Sequence, residues 1–256
     1  MYRALLIVCL LAASAHAQPT DRWYQGEQGR KRVIHLSITT VGLVMYPALQ
    51  FVEDGVACRW CGGPNEIDRS VRNALVWSDT ENATRMSDLT AYVMAPSLNI
   101  SLVLAGTFAR PSTAALMDDL IPIVETMVVT QWVTRAIKIG AARTRPYAHF
   151  TDRRDDDDNL SFPSGHTSRA FALATSAGMI ARARGYRSEP FIWVSGAAIA
   201  ATSAYLRIAA DRHYLSDVFV GSLIGVSAGL TVPLLMRRDN VQLTATGTGI
   251  AVAGVW

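Results

Sequence analysis

The sequence predicts an all-α protein, a helical bundle of about six main helices with its polar motifs gathered at one end and a short hairpin-like tail behind it. Two observations carry this. Six apolar stretches, at residues 33–52, 89–109, 116–137, 168–183, 191–210 and 214–236, are long enough for helices and are separated by polar connections. Pro111, Pro190 and the run Arg237-Arg238-Asp239-Asn240 fall where helices should end. With no internal repeat and no long linker, the 256 residues suit one domain.

Composition narrows the class. Half of the residues are hydrophobic and 18% are charged, which implies either a large core or a membrane. A formal net charge of +3, with no basic run interleaved with aromatics, argues against a nucleic-acid partner.

Taken in order, residues 1–17 read as a secretory signal peptide: Arg3 in a short n-region, an apolar run from Ala4 to Ala13, and Ala15-His16-Ala17 as the cleavage site. The mature chain would then begin at Gln18 without Cys9, with a helical domain over 18–238 and a tail over 239–256. The polar stretch from Glu53 to Asp88 holds Cys58 and Cys61, and an exported chain favours a local disulfide between them. A metal site would need a second ligand pair nearby, and a thioredoxin-like site would need a βαβ setting. The third apolar stretch carries Asp118, Asp119 and Glu125 and the fourth carries Arg169, charges that are costly inside a membrane span.

Residues suited to handling a phosphate fall into three clusters between Lys138 and Asp217. Lys138, Arg145 and Arg207 supply positive charge, and a guanidinium can grip two phosphate oxygens at once. Pro163-Ser164-Gly165-His166 precedes an alanine-rich apolar run, so it reads as a helix start with Ser164 near the N-cap. The free amides there favour an anion, and Gly165 allows close backbone approach. His213 and Asp217 are four apart, so on a helix they would share a face, with the carboxylate holding one ring proton and leaving the other nitrogen free to attack. His166 is then left to protonate the departing oxygen. Taken singly, each cluster would pass for a helix end, a helix cap or a surface ion pair. Three such coincidences in one order favour the functional reading.

These residues resemble the signature of the type 2 phosphatidic acid phosphatase and vanadium haloperoxidase superfamily, which includes bacterial class A non-specific acid phosphatases. Its pattern is Lys-x6-Arg-Pro, Pro-Ser-Gly-His and Ser-Arg-x5-His-x3-Asp, and Leu206 stands where the serine of the last motif is usual. The resemblance implies that Lys138, Arg145, Ser164, Gly165 and Arg207 bind phosphate. It also implies that His213 becomes phosphorylated, that Asp217 orients it and that His166 acts as acid and then base. No cofactor or metal is expected, and vanadate is expected as an inhibitor. The implied activity is a phosphatase acting on phosphorylated small molecules or lipids. The same family leaves a vanadate-dependent haloperoxidase, or a silent envelope protein keeping the fold, as alternatives.

Location is read two ways. Membrane members of the family hold the site on the outer face, which would set Arg30-Lys31-Arg32, Arg110, Arg182 to Arg187 and Arg237-Arg238 inside. Cleavage after Ala17 would instead start the chain outside, and six spans would carry the motifs inward. Full export, to the periplasm or envelope with membrane association, removes the conflict and is the reading favoured here; an integral inner-membrane protein with an outward site is the other. The acidic run Asp155 to Asp158 reads as a solvated loop or a gate, and residues 241–256 read as a hairpin after the bundle.

Overall fold

The computed structural model describes residues 23–46, 55–109, 112–237, 242–246 and 249–253. The leader reading of residues 1–17, the last residues of the 33–52 stretch, Pro111 and residues 238–240 lie outside the described residues.

The chain runs through α1 (Gly26–Met45), α2 (Glu66–Leu75), α3 (Thr80–Asp88), a π-helical turn (Leu89–Met94) and α4 (Ala95–Phe108). It continues with α5 (Thr113–Ala141), the single turn α6 (Pro146–Phe150), α7 (Gly165–Arg184), α8 (Glu189–Ala209) and α9 (Leu215–Arg237). The tail forms the expected hairpin, β1 (Gln242–Thr246) antiparallel to β2 (Gly249–Ala253), with Gln242 opposite Ala253 and Thr246 opposite Gly249.

The helices α2 and α3, like the single turn α6, were not read from the sequence. The polar stretch from Glu53 to Asp88 contains α2 and α3, whose composition gives no apolar face long enough to mark them. Their caps are nonetheless regular: Asn65 accepts from the Asp68 amide at 2.9 Å and Asp79 from the Asn82 amide at 2.9 Å. Because α3 passes without a break into the π turn and α4, the second long helix begins at Thr80 rather than near residue 89.

At the centre stands α7, whose Ala170, Leu173, Ala177, Ile180 and Ala181 are buried together with Val103 of α4, Ile123 of α5 and Ile192 of α8. Fully burying a Leu or Ile contributes about 1.5–3 kcal/mol. Its small residues let α9 approach closely. A Cβ at Gly225 of α9 would sit 2.3 Å from the Ser168 carbonyl oxygen, and one at Gly221 would sit 2.7 Å from that of Ser164. Any larger residue there would push α9 off the start of α7, where the second motif lies.

The surface is apolar where a soluble bundle would be polar. Val33, Val41 and Val44 of α1, Phe191 and Val194 of α8, and Phe219, Leu223 and Leu230 of α9 are exposed. Among the described residues, three segments, Thr80–Phe108, Glu189–Ala209 and Leu215–Met236, are long and apolar enough to cross a membrane.

Charges inside the helices are paired. Asp118 takes two hydrogen bonds from Arg32 at 2.7 and 3.1 Å, and the fully buried Asp119 accepts from Arg184 at 2.7 Å and from Thr107 at 2.6 Å. Glu125 pairs with His35 at 2.8 Å. Paired charges facing a bundle interior are far less costly than isolated ones.

Candidate active site

Five helix ends converge at the end of the bundle opposite Arg32 and Arg184. Lys138 is in the last turn of α5, which stops at Ala142 in the left-handed conformation (φ 42°). The chain leaves it extended, and Arg145 caps α6. Gly165 and His166 open α7, capped by Ser164 as expected. Arg207 lies in the last turn of α8 and Asp217 in the first turn of α9.

His213 differs from expectation in its backbone. It sits in the turn between α8 and α9 rather than on the helix that carries Asp217. The chain reverses at Asp211 (φ 56°), a left-handed conformation that Asp tolerates better than most residues. Arg72 of α2 grips the Asp211 carboxylate through two contacts of 2.6 Å, which fixes that turn.

Lys138, Arg145, Gly165, His166, Arg207 and His213 line one cavity of about 190 Å³. His213 is 1% exposed. Its Nε2 is 3.4 Å from Arg145 Nη1, and its Nδ1 is 3.6 Å from Asp217 Oδ2. Burial, then the charges of Lys138, Arg145 and Arg207, hold its pKa well below the usual histidine range, so the ring is neutral. Asp217 lies on the Nδ1 side, beyond hydrogen-bond reach, and Nε2 is turned towards Arg145 in the cavity.

The cations are held in place by oxygen acceptors. Lys138 donates to the Leu160 carbonyl at 2.5 Å. Arg145 donates to the Arg212 carbonyl at 3.0 Å and to the Asp157 carbonyl and carboxylate at 2.9 and 2.6 Å. Arg207 Nη1 donates to Ser87 Oγ at 3.0 Å, while its buried Nε has no partner. His166 Nε2 is 2.7 Å from Asp88 Oδ1, and the edge of its ring meets Tyr92.

Ser164 is buried but does not line the cavity. Its hydroxyl accepts from Thr167 Oγ1 at 2.9 Å, and its amide donates to the Asp217 carbonyl at 3.0 Å. It therefore fixes the start of α7 against α9 and presents Gly165 and His166.

Asp217 is a junction rather than a simple partner of His213. Its carboxylate accepts from Ser161 Oγ at 2.5 Å, from the Tyr214 amide at 2.9 Å and from Arg143 at 2.5 Å. Arg143 also donates to Asp68 at 2.8 Å and lies between the rings of Trp60 and Tyr214, 4.2 and 4.3 Å from their centroids. Asp68 in turn accepts from the Ser216 amide at 2.9 Å and the Ser216 hydroxyl at 2.6 Å. Burial works to raise the Asp68 pKa, but the Ser216 and Arg143 hydrogen bonds outweigh it and hold the carboxyl below its usual value.

Residues 55–88 of the polar stretch therefore support the site from behind, through Asp68 on Arg143 and Asp88 on His166, without lining its cavity. Cys58 and Cys61 form the expected disulfide, and the enclosed Arg59 and Trp60 amides both donate to the Ala142 carbonyl, at 3.1 and 3.3 Å. Arg143, Asp68 and Asp88 were missed. The Asn65 to Asp68 capping spacing and a third basic residue between Lys138 and Arg145 were the available signals. The acidic run is likewise no free loop, since Asp157 contacts Arg145, Arg212 and Tyr147. Burial raises the Asp157 pKa, but Arg145, Arg212 and Lys138 together outweigh it and hold the carboxyl below the usual range.

Helix ends thus bring His166 and His213 and the three expected cations, Lys138, Arg145 and Arg207, onto one cavity of an all-α frame. Residues 119–240, which include all three clusters, match the profile of the PAP2 superfamily. Over 130 residues the chain is 34% identical to a lipid A 1-phosphatase of Porphyromonas gingivalis, covering 48% of this chain and 28% of that protein. The chain thus spans little more than a quarter of that curated relative's length. The fold resembles the crystal structure of a transmembrane PAP2 type phosphatidylglycerolphosphate phosphatase from Bacillus subtilis, with a TM-score of 0.50 and 16% identity over 80% of this chain and 95% of that one. A crystal structure of Aquifex aeolicus LpxE aligns over 65% of this chain and 92% of that one, with a TM-score of 0.46 and 24% identity.

Proposed function

We propose that this protein is a membrane-embedded phosphatase that hydrolyses the phosphate monoester of a lipid through a phosphohistidine. The observation that carries the reading is His213, a buried neutral imidazole with one nitrogen towards a carboxylate and the other towards Arg145 in a cavity lined by cations. His213 Nε2 attacks phosphorus and the ester P–O bond breaks. The leaving oxygen takes a proton from the protonated form of His166, which Asp88, 2.7 Å from its Nε2, favours against burial and the charge of Arg207. Water then attacks the phosphohistidine, His166 takes its proton, and orthophosphate leaves. Lys138, Arg145 and Arg207 neutralise the charge spread over the equatorial oxygens, so no metal is needed for that task.

The lipid character rests on the apolar exposed helix faces and on the similarity to a lipid A 1-phosphatase. It replaces full export to the periplasm as the favoured location, because exposed Val, Phe and Leu side chains on α1, α8 and α9 are suited to acyl chains and costly in water. The site end would face outward: the opposite end carries Arg30, Lys31, Arg32, Arg182, Arg184 and Arg187, in keeping with the excess of positive charge on cytoplasmic loops. The test is an acid-labile, base-stable phosphoryl label on the detergent-purified protein after brief exposure to a radiolabelled lipid phosphate. Label should appear on wild type and be absent from His213→Ala, and turnover without any trapped label on His213 would refute the mechanism.

A further inference from the structure

The disulfide does not staple the helices to one another. Cys61 is exposed and Cys58 half-buried, so the bridge lies at the surface, and it encloses only Arg59 and Trp60. The bonds of this small loop all go to the connection after α5, which carries Arg143 and Arg145. Besides the two amides that donate to the Ala142 carbonyl, the Trp60 carbonyl accepts from the Thr144 amide at 3.2 Å. Arg59 Nη1 donates to the Gly140 carbonyl at 3.2 Å, and Cys58 Sγ lies 3.2 Å from Thr144 Oγ1.

On its other side the same connection is held by residues 158–161. The Arg145 amide donates to the Asp158 carbonyl at 2.8 Å and the Ser161 amide to the Arg143 carbonyl at 2.9 Å. The Leu160 carbonyl and the Ser161 hydroxyl are in turn the groups that hold Lys138 and Asp217. Residues 142–145 are thus the middle of three hydrogen-bonded segments, and the disulfide loop is one of its two flanks. The Trp60 ring lies over Arg143 and meets the Phe162 ring at 5.6 Å. Because Trp60 is 43% exposed, no core encloses it, and its place over Arg143 depends on the backbone that the bridge holds.

We propose that Trp60 is a positioning residue for Arg143 and Arg145, and that the Cys58–Cys61 disulfide is the redox switch that sets it. The proposal rests on the phosphatase reading and adds a condition to it: the site is complete only while the bridge is formed. A dithiol reductant opens it. One thiolate of the reductant attacks Cys61 Sγ, and Cys58 leaves and takes a proton. The second thiol then displaces Cys61, which takes the other proton, so two electrons reach the protein and the reductant closes its own disulfide. With the loop open, Trp60 no longer covers Arg143, and residues 142–145 lose one flank. Arg145, 3.4 Å from His213 Nε2, shifts with them. A misplacement of about 1 Å at such a residue can cost about a hundredfold in rate.

The test measures hydrolysis of phosphatidic acid by the full chain in detergent, oxidised and after dithiothreitol, at a temperature where melts show every protein folded. The proteins are wild type, Trp60→Ala, Trp60→Phe and the double variant Cys58→Ser/Cys61→Ser. Reduction should lower kcat/KM of wild type by about tenfold or more, and reoxidation should restore it. The double variant should start low and ignore the reductant. Trp60→Ala should resemble reduced wild type and lose little more on reduction, whereas Trp60→Phe should keep part of both the activity and its sensitivity. Unchanged kcat/KM in reduced wild type, or equal fold losses on reducing wild type and Trp60→Ala, would overturn the switch. Calorimetric binding of inorganic phosphate to the same proteins separates the two readings. If oxidised wild type does not hydrolyse the ester, the phosphatase reading fails. Weaker phosphate binding after reduction would still support the switch, and unchanged binding would overturn it.

Discussion

Replacing Arg143 by methionine tests whether the support behind the nucleophile is what the structure makes it. Arg143 is 3% exposed and joins Asp68 and Asp217, two carboxylates that are 1% and 0% exposed. Methionine keeps much of the volume between Trp60 and Tyr214 but leaves both carboxylates without their cation. Breaking a buried pair by removing one partner costs about 3–5 kcal/mol, and the two ring contacts add a smaller amount. For a domain of this size about 1 kcal/mol shifts Tm by about 2–4 °C, so Tm should fall by roughly 6–20 °C. In an Asp68→Asn background the further cost of Arg143→Met should shrink, because one stranded charge is already gone. Thermal unfolding of the four detergent-purified proteins measures this, alongside kcat at a temperature where all are folded. A fall in Tm of less than 3 °C for Arg143→Met, or strict additivity with Asp68→Asn, would show that the cluster does not bear on stability as argued.

Three further outcomes are expected. His213→Ala should abolish turnover and Asp217→Asn should slow it, with the double variant no worse than His213→Ala because the residues act as a unit; measurable kcat in His213→Ala would refute this. EDTA should leave activity unchanged and vanadate should inhibit it, whereas loss on chelation with recovery on adding Zn²⁺ or Mg²⁺ would refute charge neutralisation by Lys138, Arg145 and Arg207. Because His213 has a depressed pKa, the native state binds fewer protons than the unfolded one below the ordinary histidine range. Stability should therefore be full above about pH 6.5 and fall as the pH drops from there towards the depressed value. Melts from pH 8 to 5 should show a shallower fall for His213→Gln than for wild type, and parallel curves would contradict the assignment.

The sequence made some parts of this molecule legible because they are periodic or chemically rare. The apolar stretches of α4, α5, α7, α8 and α9 announce themselves by length, and Lys138, Arg145, His166, Arg207 and His213 by a spacing that few chains reproduce. The structure brings these five side chains to one cavity. What could not be read depends on contacts distant in sequence between ordinary residues. Asp68 meets Ser216 across 148 positions and Arg72 meets Asp211 across 139, and nothing local to either marks the partner. The helices α2 and α3 are too short and polar to show an apolar period, and they form because their caps and their contacts with the α8 to α9 turn hold them. His213 left its expected helix for a related reason: a left-handed Asp211 is a tertiary choice, made stable by Arg72.

The charges that argued against a membrane bundle turn out to divide it into functional levels. Arg32, Asp118, Asp119 and Arg184 tie α1, α5 and α7 at one end, with Thr107 of α4 donating to Asp119. At the other end Arg143, Asp68 and Asp217 tie α2 and α9 to the connection after α5. Between these ends the described charged side chains are few, and His35 and Glu125 meet each other across α1 and α5. Burying so many charges is tolerable only when each finds an opposite. At the first end the ionic contacts close on themselves and leave a structural clamp. At the second the clamp neutralises the carboxylates, yet Lys138 and Arg207 engage mainly neutral oxygens and line the open cavity. Positive charge left over in a cavity, beside a histidine whose pKa burial and then the neighbouring cations hold down, is an arrangement that a phosphoryl group would stabilise.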